Sequence, residues 1–217
     1  MSELFSIQLQ NRQQQGRDGV WLDLPTTTEQ VQAALRQIGI SSDNPQGLFI
    51  SGYFAEEEKR FAIPYNMVLA SNVDELNFLA SRLETLSTGE RAELNAALQA
   101  PQSELFSIGR ITDFPENVDY YVHLPDVHGP AQLGDYYLNR SGMVDMPEEW
   151  KGGIDTAQFG RYVAQQEQGV FTQYGYLVKS GDAWQKVHEG QPVPEEYRVL
   201  SFPAPEVMRD AANIPPP

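Results

Sequence analysis

Residues 72–98 read NVDELNFLASRLETLSTGERAELNAAL, and the rest of the chain is organised around them. Asn72 is placed to cap a helix, with Glu75 three residues on to return a bond to the cap backbone. Leu76, Leu79, Leu83 and Leu86 recur at helical spacing, while Asp74, Glu75, Arg82 and Glu84 fall mostly off that stripe. Ser87 opens a second helix with Glu90 at the matching position, and Leu94, Ala97 and Leu98 supply its apolar edge. Neither helix is long enough to be stable alone in water, so the pair must fold against each other and their flanks. On periodicity alone this is an ordinary helical hairpin.

On the amino-terminal side, residues 4–9 alternate loosely and suit a strand, residues 11–19 make a polar loop, and Val20–Leu24 is a second strand ended by Pro25. Thr26–Thr28 offer an N-cap, and Val31, Ala34, Leu35 and Ile38 line one face of a helix stopped by Gly39. After the Asp43-Asn44-Pro45 turn, Leu48–Phe54 is a third strand, which completes a β-β-α-β unit. Glu56, Glu57 and Glu58 follow, and Lys59 and Arg60 come at once behind them; we expect those two bases to turn away from any acidic face.

On the carboxy-terminal side, residues 103–108 repeat residues 2–7 letter for letter as SELFSI, and Trp21–Pro25 is echoed by Tyr121–Pro125. The natural inference is a duplicated β-β-α unit. Tyr120–Leu124 reads as a strand, and Gln132–Leu138 as a helix with Leu133, Tyr136 and Tyr137 on its buried side. Asp155 caps a further helix whose Phe159, Tyr162 and Val163 face inward. Val170–Val178 and Trp184–Val187 suit a hairpin across Ser180-Gly181-Asp182, and after Phe202 the Pro-rich tail is expected to be loosely held.

Three groups of residues together resemble the ArdA antirestriction proteins. One is Asp74-Glu75-Leu76-Asn77 with Leu79-Ala80 and Leu83, followed by an acidic turn and a second helix. Another is Trp21–Pro25 with Leu48–Tyr53. The most specific is Leu133–Tyr137, Met146-Pro147-Glu148, Ile154-Asp155 and Phe159-Gly160-Arg161, in that order. The resemblance implies an acidic DNA mimic from a phage or mobile genetic element, a homodimer that occupies the DNA-binding groove of a type I restriction–modification enzyme. It would make residues 103–108 a helical turn, against the strand that the repeat suggests, and both readings stay open. The carboxy-terminal hairpin, the proline tail and the modest acidity depart from the family's pattern.

Composition agrees with a folded acidic surface. The chain has 217 residues, 30 acidic against 15 basic, and a net charge of −15, with no block of five like charges. That balance disfavours nucleic acid and anionic membranes and favours basic partners, although acidity also serves plain solubility. The absence of cysteine excludes disulfides and thiolate chemistry. No signal peptide and no run of eighteen apolar residues is present, so a cytoplasmic location is the default. His123, Asp126 and His128 lie around Pro125 and Pro130 without helix-face metal spacing, and no Gly-x-Ser-x-Gly elbow or phosphate loop occurs. We therefore expect no enzyme, cofactor or metal.

These readings combine into an α+β protein, an elongated chain of three small modules. They are a β-β-α-β unit at 1–71, a helical middle module at 72–114 and an α/β module at 115–202, with a Pro-rich tail at 203–217. Each module is net acidic. The carboxylates expected to meet the partner are Glu56, Glu57, Asp74, Glu75, Glu84, Glu90, Glu93, Asp119, Asp126, Asp135, Asp145, Glu148, Glu149 and Asp155. A mimic this dilute needs its bases kept off the binding face. Two other classes remain: an acidic module that binds a basic protein without DNA-like charge geometry, and a small hydrolase built around Asp126 and His128.

Overall fold

The computed structural model describes residues 4–14, 18–56, 61–101 and 103–205. Strand β1 (Phe5–Asn11) alternates buried Phe5, Ile7, Leu9 and Asn11 with half-exposed Ser6, Gln8 and Gln10, the period of a sheet with one face on a core. β2 (Val20–Leu24) and β3 (Leu48–Phe54) flank it on either side, both antiparallel, with an irregularity between Gln8 and Leu9 on the β3 side. α1 (Thr28–Gln37) starts at a capping box of Thr27 and Gln30 and buries Val31, Ala34 and Leu35. Gly39 beyond it has φ +66°, a left-handed conformation that glycine adopts at no steric cost.

The middle of the chain is helical: α2 (Tyr65–Leu69), α3 (Val73–Leu83), α4 (Thr88–Gln99) and α5 (Ile108–Thr112). Both expected capping boxes form, Asn72 with Glu75 and Ser87 with Glu90. Leu76, Leu79, Leu83, Leu86, Leu94 and Ala97 are buried. Asn77 is a polar residue inside this leucine stripe, and its amide joins three parts of the chain. Its Oδ1 accepts from the Thr26 N–H at 2.7 Å and its Nδ2 donates to the Tyr197 carbonyl at 2.9 Å, so its burial leaves no polar atom unpaired.

The carboxy-terminal part holds β4 (Tyr121–Leu124), α6 (Pro130–Asp135), a π-helical segment (Tyr136–Arg140), α7 (Glu148–Lys151), α8 (Thr156–Glu167), β5 (Val170–Thr172) and β6 (Gly175–Lys179). The second sheet is antiparallel in the order β4-β6-β5. α6 and α8 touch backbone to backbone at two glycines. A Cβ on Gly134 would fall within the Thr156 carbonyl, and one on Gly160 within the carbonyl of Pro130. Val127, Leu133 and Tyr176 form a small core here, while the main core runs from Leu4 to Val199 and takes in Tyr120, Tyr121 and Leu177. Tyr137 and Tyr176 both donate to the Glu167 carboxylate, and burial foremost pushes both phenols up. The fold is α+β, with eight α-helices and two three-stranded sheets among the described residues.

Four expectations change. The second SELFSI copy is not a strand: residues 103–106 are irregular, and Ser107 caps α5 by accepting from the Arg110 N–H. That excludes a duplicated β-β-α unit. The hairpin turns at Gln173-Tyr174, where Gly175 at φ +120° permits a tight reversal, and residues 184–187 form no strand. Tyr162 on α8 is exposed rather than inward, although Phe159 and Val163 are half-buried. The start of the tail is held, because Pro203 is buried and its carbonyl accepts from Ser42 N–H at 2.9 Å. Residues 206–217, like Lys59 and Arg60, lie outside the described residues.

Candidate acidic partner-binding surface

The basic side chains decide what charge the surface presents. Arg110, which is buried, sends Nη1 to Glu104 at 2.9 Å and Nε to Glu189 at 3.1 Å, with its guanidinium over the Phe106 ring. Lys179 adds a second cation to Glu104 at 2.8 Å, and its hydrogen bond is the main reason that carboxyl titrates below the usual range. Lys186 reaches Glu189 at 3.3 Å, Arg82 pairs with Glu116, Arg140 with Asp135, and Lys151 with Glu148. Arg91 spends its donors on the carbonyls of Glu84 and Leu86 while lying over Phe61, and Arg198 donates to the Val193 carbonyl. These bases are turned onto the protein's own acids, carbonyls and rings.

The expected carboxylates divide into those with a structural task and those without one. Asp74 Oδ1 accepts from the N–H groups of Val199 and Leu200, both at 2.7 Å, and so fastens the carboxy-terminal segment to α3. Glu75 and Glu90 complete their capping boxes, and hydrogen bonds from Ser87 hold the Glu90 carboxyl below its ordinary value. Asp155 caps α8 through Ala157 and Gln158. Asp135 accepts from Asn139 as well as pairing with Arg140. Asp119, Asp126, Asp145 and Glu149 keep contact with solvent and are in no ion pair among the described residues. Glu148 stays largely in water despite Lys151, Glu56 is exposed, Glu84 is half-buried, and Glu57 lies outside the described residues.

Three of these acids come together: Glu90 and Glu93, neighbours on α4, and Asp119, distant in sequence. Glu93 on α4 lies within electrostatic range of Glu90 and Asp119, and its carboxyl is pushed up to about 8, first by burial and then by the charge of those two. At neutral pH Glu93 is therefore mostly uncharged, and the cluster presents Glu90 and Asp119. His123 has its Nε2 2.7 Å from the Tyr174 carbonyl, which ties β4 to the β5–β6 turn. Among the described residues no group of three or more His, Asp or Glu is placed to hold a metal ion, and no helix is long and apolar enough to cross a membrane.

Sequence reasoning missed Asp113, Glu104, Glu116 and Glu189, which consume or organise the bases. Asp113 is fully buried and accepts from the N–H groups of Val187, His188 and Glu189. Each of these residues acts through a partner distant in sequence, and no local spacing signals such a pairing.

No curated protein matches the chain. A family model described as Antirestriction protein (ArdA) matches residues 15–178, most of the chain and all of both sheets except β1 and the last residue of β6. Its span includes the glycine crossing of α6 on α8, the hydrogen bond between Thr26 and Asn77, and all three capping boxes. The chain belongs to the ArdA family of antirestriction proteins, non-catalytic inhibitors whose targets are restriction enzymes.

Proposed function

We propose that this protein takes the place of duplex DNA in the DNA-binding groove of a type I restriction–modification enzyme. The observation that supports it is the internal use of the bases. Arg82, Arg110, Arg140, Lys151 and Lys179 each meet a carboxylate of the same chain, while Asp119, Asp126, Asp145 and Glu149 remain open to solvent. The acids that this pairing leaves over are offered outward. Duplex DNA carries one negative charge per about 1.7 Å of axis, and a groove lined with Lys and Arg for phosphates attracts carboxylates in the same way. In this reading the protein acts as a homodimer in the cytoplasm of a cell carrying a phage or mobile genetic element. It needs no cofactor and does not itself bind nucleic acid.

The test is inhibition of DNA binding by a type I enzyme across a salt series. Native protein should compete with duplex DNA and weaken as salt rises, though less steeply than DNA does, because a folded protein releases few condensed counterions. A native protein that leaves DNA binding untouched at low salt would sink the proposal. A second reading, an acidic module that binds a basic partner without imitating DNA, gains from the structural duties of Asp74, Glu75, Glu90 and Asp155, which thin the row of free charges. It predicts binding to the enzyme without competition from duplex DNA.

A further inference from the structure

The outer face of the first sheet carries a surface that carboxylate imitation does not use. Ser6, Gln8 and Gln10 of β1 point away from the core, so the residues paired with them share that face. On the β2 side these are Asp23 and Trp21, and on the β3 side Phe54, Gly52 and Phe49. Trp21 and Phe54 meet edge to face at 6.4 Å across the strand between them, yet remain 49% and 58% exposed. Gly52 makes the contact possible, since a Cβ there would stand 3.0 Å from the Trp21 ring. Two large aromatic side chains half in water forgo hydrophobic burial that a partner can restore.

The chemistry of that partner is visible on the same face. Phe49, farther along β3, already lies under a guanidinium: Arg12 stands 5.2 Å from its ring centroid. Among the described residues the Trp21–Phe54 pair has no such cation of its own, but it has the counter-charge for one. Asp23 stands beside it, exposed, its carboxylate fixed by the Ser6 hydroxyl at 2.6 Å. An aromatic platform next to a carboxylate suits arginine, whose flat guanidinium stacks on a ring while its N–H groups reach an acid, better than lysine.

We propose that Trp21, Phe54 and Asp23 form a docking surface for arginine side chains of the protein partner. The inference rests on the DNA-replacement reading for the partner's identity alone and adds an anchor that is not phosphate-like. Such an anchor lets the protein hold a basic groove where salt weakens carboxylate contacts, because ring stacking is less screened than exposed ion pairs.

The test uses fluorescently labelled deca-arginine and deca-lysine as probes, read by anisotropy at physiological salt. Native protein should bind deca-arginine roughly five-fold tighter than deca-lysine. Trp21→Ala/Phe54→Ala should bind the two probes equally, with deca-lysine affinity unchanged. Both side chains are exposed, so circular dichroism and the melting temperature should match the native protein. Trp21→Phe, which keeps a ring, should retain most of the preference. Equal binding of the two probes by native protein, or a preference that survives the double substitution, overturns the proposal. So does a double variant that turns a native dimer into a monomer by light scattering, because the face would then belong to a second copy of the chain. If the arginine preference holds while enzyme inhibition fails, the docking surface stands and the DNA-replacement reading falls. If inhibition holds while the preference is absent, the docking surface falls and the DNA-replacement reading stands.

Discussion

Asp113 is a carboxylate that never meets solvent, and its two oxygens receive three backbone N–H groups from residues 187–189. Replacing it with alanine leaves those donors without acceptors inside the protein. We expect Asp113→Ala to cost about 3–5 kcal/mol in urea unfolding and Asp113→Asn about half of that, since one oxygen remains. Glu93 behaves in the opposite sense. Its carboxyl titrates at about 8 in the folded protein, so between its ordinary value of 4.5 and about 8 the folded state binds the proton that the unfolded state has lost. Stability from this residue is therefore present at low pH and lost as pH rises through that window. Glu93→Gln should be nearly neutral at pH 5 and stabilising at pH 8.5 by on the order of 1–2 kcal/mol, allowing for partial solvent screening. A stability difference that stays flat with pH would refute the buried-acid account. The sequence places Glu93 one turn after Glu90, as one more surface acid; only Asp119, brought in by the fold, and the burial of α4 reveal its difference.

Short elements were legible where one residue settles a local question. Asn72, Ser87, Thr27 and Asp155 each cap a helix where the sequence places a cap, because the side chain meets a backbone N–H only two or three residues away. The hexapeptide SELFSI was not legible, since its apolar positions fit either period and its neighbours choose. Gln8, Leu9 and Gln10 continue the alternation of the first copy into β1. Gly109, Arg110, Ile111 and Thr112 instead let Ile108 and Ile111 bury together in α5. Gly134 and Gly160 looked like family signature alone until the structure placed each against the other helix's backbone. Gly160→Ala should therefore push α8 off α6 and destabilise the carboxy-terminal part by several kcal/mol, roughly an overpacking cost with no flexible neighbour to yield. Gly89, with open space around it, serves as the control, and Gly89→Ala should be neutral or slightly stabilising. Equal melting temperatures for the two variants would contradict the crossing geometry.

At the scale of the whole molecule, composition revealed the sign of the surface but not which charges are spoken for. Neutralising Asp119, Asp126, Asp145 and Glu149 together should weaken inhibition at least ten-fold and leave the melting temperature unchanged, since none of them is in an ion pair among the described residues. Neutralising Glu75 and Glu90 should instead lower stability by about 1 kcal/mol with less effect on inhibition, because each completes a capping box. Inhibition that depends on the caps and ignores the exposed four would reverse the assignment. The segment that joins the parts lies almost wholly beyond the span matched by the family model. It meets Asn117 at Gln185, Asp113 at 187–189, Asn77 at Tyr197, Asp74 at 199–200, Gln32 at Ser201 and Ser42 at Pro203. Synthesis runs from the amino terminus, so these residues are the last of the described chain to leave the ribosome. Both sheets and the helices between them precede this clasp in the chain, so they can form during synthesis before the contacts that set one against another are available. A nascent chain can thus hold folded parts before it holds the charge arrangement those parts create together, which is set only once the clasp residues have joined them.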